Sequence, residues 1–200
     1  MFPIIQKGGP IMWPLLLTSI VCVAVVLERL FFILSVSAQR EPKVVESILV
    51  AAERGDFDGA ISAGEQSRDY VAMTLVHGLR QPDNLANALL RAANQQLKRF
   101  NYGLSILDTI ITLAPLLGLL ATVTGMIHAF GLLGGRELDA PSVITGGIAE
   151  ALIGTAFGLG IAVVALIPFN YLNARLEEAR HEIEDTATHL ELVTKSKILA

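Results

Sequence analysis

Three long apolar stretches, residues 10–34, 104–133 and 143–171, alternate along the chain with polar, helix-patterned segments. Crossing the roughly 30 Å hydrocarbon layer of a bilayer takes about 20 helical residues at about 1.5 Å rise each, so each stretch is long enough to span. The first carries Glu28-Arg29 near its end, which predicts a span proper that stops near Leu27 or lets the pair reach the headgroups. The third has no formally charged residue between Ala151 and Asn173. The first stretch lacks a basic leader beyond Lys7 and an A-x-A-like cleavage site, so it is expected to be a permanent span and not a signal peptide.

The segment between the first two spans reads as short helices separated by turns. Arg54-Gly55-Asp56, Ser67-Arg68-Asp69 and Gln81-Pro82-Asp83-Asn84 punctuate it and predict helices over 43–53, 56–66 and 70–79. From Asn84 the apolar positions Leu85, Leu89, Ala92 and Leu97 keep helical spacing, and the helix is expected to run unbroken into the second span. Pro115 interrupts that span, so a loosened turn is expected whose freed carbonyl finds a neighbouring threonine or another subunit. After the third span, Leu172, Leu176, Ala179, Ile183, Ala187, Leu190 and Val193 recur three or four apart between acidic and basic residues. That is the stripe of a helix packed in a bundle. The fold class is therefore an all-α membrane protein with three transmembrane helices, two of them extended into a cytoplasmic helical bundle. The expected boundaries are a periplasmic N-terminal interfacial segment 1–9 built on Phe2, Ile4 and Ile5, spans 10–34, 104–133 and 143–171, a cytoplasmic helical loop 35–103, a periplasmic loop 134–142 and a cytoplasmic C-terminal helix 172–200.

Composition sharpens this picture. The chain of 200 residues is 52% hydrophobic but only 17% charged, more apolar material than one soluble core of that size buries, so the surplus faces lipid or other subunits. Of the fifteen Lys and Arg, all but Lys7 and Arg136 fall in the segment from Arg29 to Arg99 or after the third span. The positive-inside rule then places the N-terminus outside and the large loop and C-terminus in the cytoplasm. With a net charge of −4 and no dense basic cluster, nothing points to nucleic acid. The one cysteine, Cys22, lies in the first span and has no metal-site spacing, so it reads as packing.

Glu150 carries the most chemistry. A carboxylate inside a membrane helix costs roughly 2.5 to 3.5 kcal/mol on insertion scales and so calls for a use, which here is an ion or proton site. The alternative is a structural acid near the outer headgroups, paired with Arg136 or a neighbouring subunit. Thr155 lies about 140° around the helix from Glu150, so the two do not face one pore axis together. On the second span Gly118, Thr122 and Gly125 share one face. Each threonine alone would be expected to bond only its own helix backbone, but with Thr112 and Thr124 they make a hydroxyl-rich pair of spans that suits a polar lining. Gly154 and Gly158 form a G-x-x-x-G match, extended by Gly147, Ala151 and Ala162 into a small-residue seam for close helix packing. Asp108 and His128 fall near the two ends of the second span; Asp108 is a headgroup-level acid or a cytoplasmic exit for ions, and His128 an interfacial residue. No hydrolase, zinc-protease, P-loop or dinucleotide motif occurs, and Thr155 with Glu150 makes no nucleophile–base pair, so neither an enzyme nor a cofactor or metal site is expected.

The run Ala114-Pro115-Leu116-Leu117-Gly118-Leu119-Leu120-Ala121-Thr122-Val123-Thr124-Gly125-Met126 resembles the second span of ExbB and TolQ proteins, where P-x-x-G-L-x-G-T-V-x-G-M is typical. The run Gly147-Ile148-Ala149-Glu150-Ala151-Leu152-Ile153-Gly154-Thr155-Ala156-Phe157-Gly158, ending in Ile167-Pro168-Phe169-Asn170, is similar to their third, and Glu28-Arg29-Leu30 and the Gly55-Asp56 turn match as well. Ala121 stands where the family has glycine. Three spans and a short cytoplasmic part set the chain apart from flagellar MotA. The resemblance implies an inner-membrane, proton-driven motor in which five copies, a homopentamer, ring a dimer of single-span ExbD- or TolR-like partners. It implies that Thr122 and Thr155 line the ring, that Glu150 organises or conducts the ion path, and that force passes to a TonB- or TolA-like protein of the cell envelope. A structural membrane scaffold without ion conduction is the alternative; it explains the glycine seam but not Glu150 with the threonine pair.

Overall fold

Gly9 takes a left-handed φ of 70°, and its carbonyl accepts the N–H of Met12 at 3.2 Å, which starts helix α1 (Met12–Ala38). The computed structural model describes residues 9–131 and 140–198. After α1 come α2 (Pro42–Glu53), α3 (Phe57–Gly64), α4 (Tyr70–Leu79), a 3₁₀ turn (Pro82–Asn84), α5 (Leu85–Asn101), α6 (Leu104–Gly131) and α7 (Ala140–Ile198). The described residues contain no strand, and α1, α6 and α7 are long and apolar enough to cross a membrane. Leu17, Phe31, Ile127 and Ile167 on these helices are largely exposed, an apolar surface that lipid or protein has to cover. The chain is an all-α membrane protein with three spans.

The chain divides into two units. One contains Met1–Arg29 and Gly103–Tyr171. In it α6 turns a single face inward, along which Leu104, Leu107, Ile110, Ala114, Gly118, Ala121, Gly125 and Ala129 are buried at three- and four-residue spacing. Met12, Leu15 and Cys22 of α1 and Ala151, Ala162 and Ala165 of α7 are also buried there. Arg29 is buried too; its Nε donates to Glu28 at 2.5 Å, and its alkyl stem packs on Gly103. The Glu28-Arg29 pair does not end the first helix, which continues to Ala38.

The other unit contains Leu30–Tyr102 and Leu172–Ala200. It is a helical bundle cored by Ile48, Ala52, Ala60, Val71, Ala72, Leu75, Ala88 and Leu89, with Leu172, Leu176, Ala179, Ile183 and Leu190 supplied by α7. Ala187 and Val193 of the expected stripe are only half-buried, and Thr194 is buried instead, one residue beyond Val193. Two of the three turn aspartates cap helices: Asp56 accepts the N–H of Gly59 at 2.9 Å to start α3, and Asp69 accepts that of Val71 at 2.8 Å to start α4. Asp69 is fully buried and also accepts from Arg40 Nη1 at 2.7 and 2.8 Å and from the Glu41 N–H at 2.7 Å. Arg40 in turn pairs with Glu182, whose other oxygen accepts the Tyr70 hydroxyl at 2.5 Å. Burial, and then this bond to Glu182, push the Tyr70 phenol well above its ordinary pKa.

Two expectations are corrected and a third is narrowed. The helix starting near Asn84 does not run unbroken into the second span. It ends at Asn101, Tyr102 adopts an extended ψ of 133°, and Gly103, with a φ of 82°, makes the left-handed turn that a residue without Cβ accepts readily. The helices shared between the two units are accordingly α1 and α7, and α5 and α6 are separate. Pro115 sits inside α6, but the Thr112 hydroxyl donates to the carbonyls of Asp108 and Thr109 and not to that of Ile111, the one the proline leaves free. The third long helix starts at Ala140, inside the segment expected to be loop. The expected interfacial element at Phe2, Ile4 and Ile5, the cations Lys7 and Arg136, and with them the Glu150–Arg136 pairing, lie outside the described residues.

Candidate functional site

The inward face of α6 meets α7 through residues with almost no side chain. A Cβ on Gly118 would lie 3.0 Å from the Cα of Thr155, and one on Gly125 3.0 Å from the Gly147 carbonyl oxygen. A Cβ on Gly147 would meet Ala129 at 2.6 Å, one on Gly154 would collide with the Ala121 methyl, and one on Gly158 would lie 3.0 Å from the Gly118 Cα. Backbones this close gain dispersion over their whole length, which is the favourable term for helix association where lipid removes the hydrophobic drive. Ala121 is accommodated because Gly154 stands opposite it: the methyl group occupies the space that Gly154 leaves open. The sequence had suggested the glycines; the alanines Ala114, Ala121 and Ala129 that complete the seam are legible only as a small residue every three or four positions.

Thr155 uses this proximity. Its hydroxyl lies 2.9 Å from the Gly118 carbonyl of α6 and 3.2 Å from the Ala151 carbonyl of its own helix. A hydroxyl has one proton, so it is shared between the two or alternates between them. Thr122, one turn along α6 from Gly118, is half-buried and donates to its own Leu119 carbonyl at 2.6 Å. Thr124 likewise turns back on Leu120 and Ala121. The structure therefore joins Thr155 to the α6 backbone beside Thr122, and each hydroxyl is engaged by a carbonyl within the chain.

Glu150 is half-buried, five residues or about 7.5 Å along α7 from Thr155. It leans on Gly9: a Cβ there would lie 2.7 Å from the Glu150 carboxyl carbon and 3.2 Å from its Cγ, and closer still to one carboxylate oxygen. Glu150 thus stands level with the turn that starts α1, at an end of the apolar layer and not at its middle. The sequence pattern holds no signal that this turn meets α7. Asp108 and His128 are exposed near opposite ends of α6. Among the described residues no cluster of His, Cys, Asp and Glu could hold a metal ion.

A three-span helical protein with a small-residue seam between two spans, a threonine bridging it and a carboxylate at its end has the parts of a membrane ion-conducting subunit. Residues 63–185 match the MotA/TolQ/ExbB proton channel family, and the chain belongs to that family. It is 36% identical over 196 residues to an ExbB-like biopolymer transport protein of Synechocystis sp., covering 94% of this chain and 76% of the relative. It is 32% identical over 114 residues to the biopolymer transport protein ExbB of Neisseria gonorrhoeae, 57% of this chain and 52% of that one. It is also 36% identical over 89 residues to the Tol-Pal system protein TolQ of Haemophilus influenzae, 44% of this chain and 39% of that one.

Proposed function

We propose that this chain is the ring-forming subunit of a proton-driven motor of the bacterial inner membrane. In this reading five copies surround a dimer of single-span ExbD- or TolR-like partners, and proton flow moves the partners to deliver force to a TonB- or TolA-like envelope protein. The observation that carries it is the Thr155 hydroxyl bonded to the Gly118 carbonyl across the seam of the two spans that hold the family motifs. A hydroxyl with two alternative acceptors can turn at little cost, and so can present either its proton or its lone pairs to a titrating acid on a partner helix. Thr122 extends this polar strip, Glu150 organises the ion path at one end and Asp108 serves as its exit at the other. The concentration of Lys and Arg in the bundle segment and the C-terminal tail supports a reading with both in the cytoplasm and the N-terminus in the periplasm. No catalytic step is assigned to the chain.

One observation favours the scaffold reading: Thr122, Thr124 and Thr155 all donate to backbone carbonyls of the chain itself, as purely structural threonines do. Co-expression with the neighbouring single-span protein, followed by mass measurement of the purified complex and proton flux in vesicles, separates the two. A five-to-two complex that passes protons supports the motor. A chain that ignores the partner, or a complex that passes none, leaves the scaffold.

A further inference from the structure

The contact between Gly9 and Glu150 joins two features that are unrelated in sequence. Gly9 is glycine for two independent reasons. Its φ of 70° lies in the left-handed region, and the space a Cβ would need is filled by the Glu150 carboxyl group. The backbone that follows it is fixed: the Gly9 carbonyl accepts the Met12 N–H, that of Pro10 accepts the Trp13 N–H at 3.3 Å, and Met12 and Leu15 just beyond are buried. Glu150 is held on the opposite side by the seam, since Gly147 and Ala151 on either side of it pack against Ala129 and Gly125 of α6. Two rigid backbones therefore enclose the end of one flexible side chain. Among the described residues no hydrogen bond or ion pair holds that carboxyl, so its position is set by shape.

We propose that Gly9 is a positioning residue for Glu150: by lacking a side chain it lets the first turn of α1 act as the wall against which the carboxyl group is placed for the ion path. The proposal rests on the ion-path reading of Glu150. Any Cβ at position 9 pushes the carboxyl away while leaving the helices in place, because the atoms that must yield are the far end of a flexible chain. Shortening the acid compensates. In Glu150→Asp the carboxyl carbon falls back to the place of the present Cγ, 3.2 Å from the Cβ site, where a shift of the flexible side chain by a few tenths of an ångström relieves the contact.

The test uses the complex with its single-span partner in vesicles, and the variants Gly9→Asn, Glu150→Asp, Glu150→Gln and the doubles. Asparagine tolerates a left-handed φ, so Gly9→Asn adds the Cβ with little backbone strain, and Gly9→Ala beside it reports the strain. Gly9→Asn is expected to lower proton flux at least about tenfold, since misplacing a reacting group by an ångström costs on the order of 100-fold. Glu150→Asp in the same chain should restore most of it, and Gly9→Asn should add nothing to Glu150→Gln. Carbodiimide labelling of Glu150, read by mass spectrometry, follows the carboxyl group without reference to flux and should rise severalfold in Gly9→Asn. Unchanged labelling in Gly9→Asn, or flux that Glu150→Asp does not restore, overturns the proposal. If the unaltered complex passes no protons while labelling responds to Gly9→Asn, the ion-path reading fails and the placement of Glu150 by Gly9 stands.

Discussion

The hydroxyl of Thr155 on α7 reaches the carbonyl of Gly118 on α6 at 2.9 Å because Gly118, and Gly154 and Gly158 facing its helix, lack the Cβ that would hold the backbones apart. In a regular helix that carbonyl already accepts the N–H of residue 122, so the Thr155 proton adds a second bond to an acceptor with two lone pairs. The bridge is thus dispensable to the helix and available to something else, which sets it apart from a bond that closes a turn.

Thr155→Val keeps the shape and the methyl group but removes the donor. Because the Gly118 carbonyl retains its helical partner, the loss of stability is expected to stay near about 1 kcal/mol, the net worth of one hydrogen bond. Proton flux through the complex is expected to fall at least about tenfold, equivalent to about 1.4 kcal/mol of barrier. Thr155→Ser, which keeps the hydroxyl, should retain most of the flux. Assembly by size-exclusion and flux in vesicles read the two effects separately, and a Val variant with full flux would remove Thr155 from the path.

Gly158 and Gly160 are two residues apart on one helix and offer a matched test of the seam. A Cβ at Gly158 collides with the Ala114 carbonyl oxygen and lies 3.1 Å from the Gly118 nitrogen, all backbone that cannot step aside; at Gly160 nothing lies within 4 Å. Gly158→Ala is expected to cost about 1–3 kcal/mol through overpacking. Gly160→Ala should be neutral or slightly stabilising, since alanine is the better helix former. Thermal unfolding of the purified protein in detergent decides it, and equal midpoints for the two variants would mean that the seam does not hold the spans together.

The spans were legible in the sequence because twenty apolar residues in a row admit few other uses, α4 because turns mark both its ends, and most of the α7 stripe because its three- and four-residue spacing places it. The end of α5 was missed: Tyr102-Gly103 is a single turn between two helical patterns, and a lone glycine reads as a tolerated helix residue until its φ of 82° is seen. Glu28-Arg29 suggested a span that stops near Leu27 or a pair that reaches the headgroups, and nothing in that pattern signals that Arg29 is buried with its stem on Gly103, a contact between residues 74 positions apart. In the candidate site, Thr155, Thr122 and the glycines could be named from residue type and spacing. Which carbonyl Thr155 would meet, and that Glu150 would lie on Gly9, depend on how the helices pair, and a pattern along one helix does not contain that information.

Asp69 ties the bundle together through four acceptor contacts, to Arg40 twice and to the N–H groups of Glu41 and Val71. Asp69→Ala removes the N-cap of α4 and leaves the Arg40 guanidinium, itself mostly buried, with the Glu182 carboxylate and the face of the Tyr70 ring. Breaking a buried pair from one side costs about 3–5 kcal/mol, so this variant should unfold the bundle at a much lower temperature. Asp69→Asn keeps an oxygen for the cap and is expected to lose less. Circular dichroism on heating, with limited proteolysis at the α3–α4 turn, measures both; a bundle as stable in Asp69→Ala as in the parent would show that the network is not a stabilising one.

Tyr70 gives the bundle an alkaline limit. Its phenol is raised above the ordinary value of 10.0, first by burial and then by donating to Glu182, so the folded state holds the proton more tightly than the unfolded chain. The stability this contributes is complete below about pH 10 and is lost as pH rises toward the folded pKa, because ionised Tyr70 would face the Glu182 carboxylate. Unfolding midpoints should therefore fall above pH 10 more steeply in the parent than in Tyr70→Phe, which has no proton to lose. The comparison isolates Tyr70 from the lysines that titrate over the same range, since those are common to both proteins. At neutral pH Tyr70→Phe should be the less stable of the two by about 1.5–3 kcal/mol, the worth of a hydrogen bond to a charged group, and the gap should close as pH rises. Parallel curves throughout would mean that Glu182 swings away when the phenol ionises and that the Arg40 pairing alone fixes α7 to α4.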